Sequence, residues 1–109
     1  MKLTLLEPQF MRITSAGHYA DVDTLAEAQG VMFLCPKCFA KNCGNVGTHS
    51  VMVWFRDCGV PADEVPLPGR WGVSGTGYAD LTITPSISLE NPGKVGCQWH
   101  GFVTSGEAA

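Results

Sequence analysis

Leu81-Thr82-Ile83-Thr84-Pro85-Ser86-Ile87-Ser88-Leu89-Glu90 is the stretch whose reading decides the fold class. Leu81, Ile83, Ile87 and Leu89 are apolar, while Thr82, Thr84, Ser86, Ser88 and Glu90 are polar. Alternation of this kind places successive side chains on opposite faces of a half-buried strand. Pro85 falls on the inward parity and has no amide hydrogen for a neighbouring strand. The segment is therefore expected at a sheet edge, or split into two strands.

Working outward, His49 to Phe55 reads as a second strand. Val51, Met52, Val53, Trp54 and Phe55 are consecutive apolar residues, so both faces should be covered and the strand should be central. Val31 to Leu34 reads as a buried strand leading into Cys35, Gln9 to Thr14 as a short strand, and Gly101 to Thr104 as a last one. Gly59 to Gly77 is rich in Gly and Pro and reads as loop. The best helix is Asp23 to Gln29, with Asp23 as its cap and Gly30 as its end. It spans only about two turns, so packing must hold it. The expected class is mainly β (small α+β), a zinc-ribbon-like single domain with one short helix. Residues 1–109 form that domain, with an N-terminal strand and helix (1–29) packed on a zinc-binding β core (30–106).

The reason for expecting zinc lies in two short signatures. Cys35-Pro36-Lys37-Cys38 and Cys97-Gln98-Trp99-His100 each set two ligand-type residues across two others. One turn can aim such a pair at one ion, and two pairs supply the four ligands of a tetrahedral structural zinc. Cys35, Cys38, Cys97 and His100 are thus the expected metal ligands. His49 returns toward the first pair and could hydrogen-bond a ligand or replace one; Cys43, just past the first pair, could also substitute. Cys58 reads as a free thiol and His18 as a loop residue. A redox Cys-x-x-Cys would open a helix in a βαβ unit, a context not read here. Five cysteines leave one over in any disulfide framework.

Composition limits the function. The chain has 109 residues, 45% of them hydrophobic and 16% charged, with a net charge of −3 from 7 basic and 10 acidic residues. The basic residues are scattered, which disfavours direct nucleic-acid binding and anionic membranes. No apolar run approaches the length of a membrane helix, and the N-terminus shows no signal-peptide pattern. A cytoplasmic protein with reduced thiols is expected.

Catalytic signatures are thin. His-x-Glu, His-Glu-x-x-His, a Gly-x-Ser-x-Gly elbow and a phosphate loop do not occur. Four strong ligands would saturate a zinc ion, so no site residue is assigned as catalytic. If one position were open, His49 or Asp80 could serve as acid or base; Asp21, Asp23 and Asp57 are dispersed. Trp71, in a Gly-rich loop, is the aromatic expected at a partner interface, or else a plug under the loop. Trp99, inside the second signature, would shield the metal.

Gly30 to Cys38, Gly47 to Val51, Thr84-Pro85-Ser86-Ile87 and Cys97 to Gly106 together resemble the DUF6527-type proteins, a group of small proteins encoded by bacteriophages and prophages. The resemblance covers about Gly30 to Gly106. It implies a phage origin and a zinc site, and no defined activity. In relatives the last Cys and His can be adjacent, whereas two residues separate them here. The expected function is accordingly a small zinc-binding phage-type protein, non-catalytic and acting through protein contact. Its partner would be a host component, another phage protein or a second copy of this chain, in the host cytoplasm or the virion. The alternative is a zinc-dependent, hydrolase-like enzyme with an open metal position.

Overall fold

A computed structural model describes residues 1–64, 69–88, 97 and 99–109. It is mainly β, as the alternating stretch implies. The strands are β1 (Gln9–Ser15), β2 (His18–Val22), β3 (Gly30–Leu34), β4 (Ser50–Trp54), β5 (Gly72–Ser74), β6 (Thr82–Ser88), β7 (His100–Thr104) and β8 (Glu107–Ala108). One α-helix, α1 (Pro36–Asn42), joins β3 to β4. Two four-stranded antiparallel sheets result, ordered β2-β1-β3-β4 and β5-β6-β7-β8.

The two sheets share one core. Phe10, Val31, Phe33, Val51, Val53 and Phe55 from the first meet Leu81, Ile83, Ile87 and Val103 from the second. Each such side chain is worth roughly 1.5–3 kcal/mol when fully buried. Leu3 and Leu6, in and beside a 3-10 turn, complete the core, and the Leu3 amide donates to the Gly106 carbonyl (2.8 Å). Tyr78 joins the sheets again: its ring stacks on Phe10 (4.2 Å) and its hydroxyl accepts from the Phe10 amide (2.8 Å).

Several sequence expectations change. The helix expected over Asp23–Gln29 is only a 3-10 turn, Leu25–Glu27. Gln29 is drawn into the sheet instead: its amide donates to the Met11 carbonyl and its Oε1 accepts from the Ile13 amide, both at 2.8 Å. The true helix follows Cys35, where Pro36 occupies the first turn without an amide to waste. It ends at Cys43, in the left-handed region (φ 54°), whose amide points back at the helix. His18 opens a strand rather than lying in a loop.

β4 is an edge strand, not a central one. Its edge is closed by the approach to β5. The Trp71 amide donates to the Trp54 carbonyl (3.0 Å) and the Arg56 amide to the Trp71 carbonyl (2.7 Å). Tyr19 packs edge-on against Trp54 at 5.7 Å. This covering explains apolar residues on both faces of an edge.

β6 also departs from expectation. It lies inside its sheet, between β5 and β7, and continues through Pro85. Ile83 pairs with Val103 and Ile87 with Gly101, so Thr84, Pro85 and Ser86 stand opposite Phe102 alone. A bulge of this kind removes the need for a Pro85 amide and re-aims the residues beside it. Leu89, Glu90, residues 91–96 and Gln98 lie outside the described residues.

Candidate metal centre and active site

Three cysteines and one histidine converge where the two sheets meet. Side-chain donor atoms of Cys35, Cys38, His49 and Cys97 all lie within 4.8 Å of one another. β3 delivers Cys35, whose amide donates to the His49 carbonyl at 2.9 Å, extending the β3–β4 pairing past the strands. Cys38 sits in the first turn of α1. His49 immediately precedes β4. Cys97 arrives from the second sheet, shortly before β7. The first signature therefore does open a helix, contrary to the sequence reading. The helix links antiparallel strands, however, and two further donors face the pair.

His100 is not in this group. His49 takes the position that the sequence assigned to it, because the strand pairing carries His49 back beside Cys35. His49 Nδ1 lies 3.3 Å from the Ser50 carbonyl. With Nδ1–H donating there, Nε2 is the nitrogen left for a ligand. Cys43 is exposed at the end of α1 and Cys58 is half-buried elsewhere, and neither belongs to the cluster.

The donor set suits a metal such as zinc. Zinc–sulfur bonds of about 2.3 Å at tetrahedral angles put sulfurs about 3.8 Å apart. Cys35 Sγ and Cys97 Sγ are 3.5 Å apart, too far for a disulfide, and all five cysteines are free thiols. Burial pushes the Cys35 thiol up to about 12, against amide hydrogen bonds from Cys38 and Lys37; the bond to Cys97 raises it further. Burial raises the Cys38 thiol as well. Cys97 also feels burial, but hydrogen bonds from His49, Cys38, Cys35 and the Trp99 backbone bring it down to about 7. Without a cation, one sulfur ionises at the expense of its neighbours. A divalent ion removes that conflict.

A second constellation lies on the outer face of the second sheet. His100 opens β7 opposite Ser88, and Ser86 sits on the bulge diagonally across. His100 Nε2 is 2.9 Å from Ser86 Oγ. Ser86 is half-buried and His100 exposed, so the pair is anchored in the sheet and open to solvent. Trp71 holds the serine side: its indole N–H donates to the Ser86 carbonyl at 3.1 Å. The Trp71 ring is partly buried against the core. Gly101 leaves room under His100, since a Cβ there would meet the Ala109 carbonyl and come within 2.6 Å of the Trp99 indole.

A serine and histidine in this geometry have a specific chemical use: the imidazole takes the hydroxyl proton as oxygen attacks a carbonyl. The family model described as "BubE: Bacterial ubiquitination-like system serine protease (BubE)" matches residues 8–109. The chain belongs to the BubE family. No curated protein and no solved structure is significantly similar to it.

Membership of BubE overturns the expected function. The family is described as a serine protease of a bacterial system, not as a non-catalytic phage protein acting through contact. The hydrolase alternative is nearer the mark. Sequence reading did not single out Ser86 beside His100 because it looked like one more outward position of an alternating strand. The available signal was Pro85: a proline on an inward position of a strand calls for a bulge, and bulges re-aim neighbours. Asp80, once considered as an acid or base, instead ties its own loop, accepting from the Thr76 and Gly77 amides and the Thr76 hydroxyl. Among the described residues no helix is long and apolar enough to cross a membrane.

Proposed function

We propose that this chain is a peptidase with Ser86 as nucleophile and His100 as general base, and that Cys35, Cys38, His49 and Cys97 hold a structural zinc ion. The observation that carries the peptidase reading is the 2.9 Å approach of His100 Nε2 to Ser86 Oγ on an open sheet face. The family description supports it independently. Ser86 Oγ adds to the carbonyl carbon of a peptide or isopeptide bond while His100 Nε2 accepts its proton. The carbon–nitrogen bond then breaks and that proton passes to the departing amine. Water, deprotonated by His100, adds to the acyl-Ser86 ester; the carbon–oxygen bond breaks and Ser86 recovers its hydrogen.

When bound, zinc would neutralise the thiolates and cross-link the chain. Four donors would fill a tetrahedral ion, which favours chemistry at Ser86 over chemistry at an open metal position. The partner this reading requires is a protein substrate of a ubiquitination-like system. Reduced thiols suit a cytoplasmic setting.

The test is covalent labelling with a fluorophosphonate followed by intact-mass and peptide mass spectrometry. One adduct on Ser86 is expected in the native chain, with none in Ser86→Ala and a greatly slowed reaction in His100→Ala. Undiminished peptidase activity in Ser86→Ala would refute the assignment.

A further inference from the structure

Cys97 of the first constellation and His100 of the second are three residues apart along the chain, and that spacing has a mechanical consequence. Cys35, Cys38 and His49 come from the β3–α1–β4 unit of the first sheet. Cys97 comes from the lead-in to β7 of the second. An ion on these four donors would fasten one sheet to the other immediately before His100.

Trp99 lies between the clasp and the base. It is 5% exposed and meets Phe33 of β3 edge-on, with ring centres 6.1 Å apart. The next residue after His100, Gly101, runs against the Trp99 indole. The His100 backbone is thus held upstream by Cys97 and Trp99 and laterally by pairing with Ser88. Its ring, by contrast, is exposed, and its one hydrogen bond among the described residues goes to Ser86. An exposed ring takes its place chiefly from its backbone and from that bond. Where it sits depends on where the start of β7 sits.

We infer that the metal clasp is a positioning device for the general base: Cys97 is a positioning residue that, through the ion it shares with Cys35, Cys38 and His49, keeps His100 Nε2 in reach of Ser86 Oγ. This rests on the peptidase reading of Ser86 and His100. It makes a serine peptidase dependent on a metal that touches no substrate. A misplacement near 1 Å at a reacting group costs on the order of 100-fold in rate, and a strand start released from its anchor can move that far.

The experiment compares metal-loaded protein, chelated protein and Cys97→Ala, reading kcat, KM and the His100 imidazole signals by NMR. Chelation and Cys97→Ala should each lower kcat by about 100-fold with KM changed less than about threefold, and His100 should show averaged, mobile-ring signals. Cadmium, which accepts the same thiolate-rich set, should restore both kcat and the ordered signals. If Cys97→Ala does not fold, Cys97→His, which keeps a fourth donor, takes its place and should retain metal and rate. Metal-free protein with native kcat and an unchanged His100 signal would overturn the inference. So would Cys97→His that binds metal, keeps the His100 signal and yet loses rate.

The His100 signals of loaded and chelated protein with Ser86 intact, recorded without substrate, read the clasp without any turnover. Failure of the peptidase reading, seen as no fluorophosphonate adduct on Ser86, is therefore distinguishable from failure of the clasp, seen as an insensitive His100.

Discussion

Cys35 and Cys97 bring their sulfurs to 3.5 Å although they belong to different sheets. The first is fully buried at the end of β3, the second half-buried before β7. Nothing in their local sequence relates them; the sandwiching of two sheets does. The contact gathers ionisable thiols, with the charge of Lys41 favouring ionisation of Cys38 against its burial, and it joins the most buried part of the core to the strand that carries His100.

The first prediction concerns the metal. Protein purified without chelator should contain one zinc per chain by elemental analysis. Replacing Cys38 by Ser should lower the thermal midpoint by about 10 °C or more, the shift expected for roughly 2 kcal/mol in a domain of this size. Cys43→Ser, at an exposed thiol outside the cluster, should stay within about 0.5 kcal/mol of the parent in a denaturant titration. Equal effects at the two positions would contradict a metal at the cluster.

Metal retention should fall with acid. Ligation requires thiolates, and burial holds Cys35 up to about 12 and raises Cys38 in the metal-free protein. Binding therefore releases protons, and lowering the pH favours the proton-bound, metal-free form. Zinc release followed with a chromogenic chelator should increase steadily from pH 8 to about pH 5. Release independent of pH would contradict ligation by these thiolates.

Ser86→Ala should reduce kcat by a factor of about 1,000 or more, the scale seen when an acyl-transfer nucleophile is removed, with little change in folding stability. His100→Ala should act on the same step, so the double variant should be little worse than either single one. Additive losses in a double-mutant cycle would show that the two side chains do not work as a unit.

Trp71→Phe isolates one hydrogen bond. The ring remains to fill its half-buried site, but the N–H that holds the Ser86 carbonyl is gone. A loss of about 1 kcal/mol in stability is expected, together with a lower kcat because the bulge is less well fixed. Unchanged kcat would show that the bulge holds Ser86 without the indole.

Asp80 allows a sign-determined pH test. Amide hydrogen bonds from Thr76 and Gly77, with the Thr76 hydroxyl, hold its carboxyl below the ordinary 3.8. A depressed native value means that the carboxylate stabilises the fold above the unfolded value and that this help fades as pH falls through the native one. Asp80→Asn should therefore lower the thermal midpoint at pH 7, with the gap closing as the pH drops below 3.8. A constant gap down to strong acid would mean that the side chain acts through packing alone.

How much of this was readable from the chain depends on the range of the interaction involved. The strands over Gln9–Ser15, Gly30–Leu34 and His100–Thr104 follow from short runs of apolar and β-branched residues, and they sit within a residue of their expected places. The Asp23–Gln29 helix failed because sheet hydrogen bonds to Met11 and Ile13 outbid a two-turn segment with little intrinsic stability. β5 and β8 are too short for any periodicity to show. Among the site residues, the Cys-x-x-Cys pair was legible because both members share one turn. His49, and not His100, lies beside the thiols, since spacing says which residues can share a turn and not which strand will return beside them.

The sequence by itself determined that strands would dominate, that cysteines 35, 38 and 97 are donors of a type that suits a metal, and that Pro85 would disturb the strand around it. These follow from side-chain period, donor softness and a missing amide, all properties of neighbouring residues. Only the tertiary structure decided which histidine joins the thiols and which faces Ser86. That choice is made by strand pairing between segments far apart in the chain, and pairing is set by the shared core that both sheets must bury.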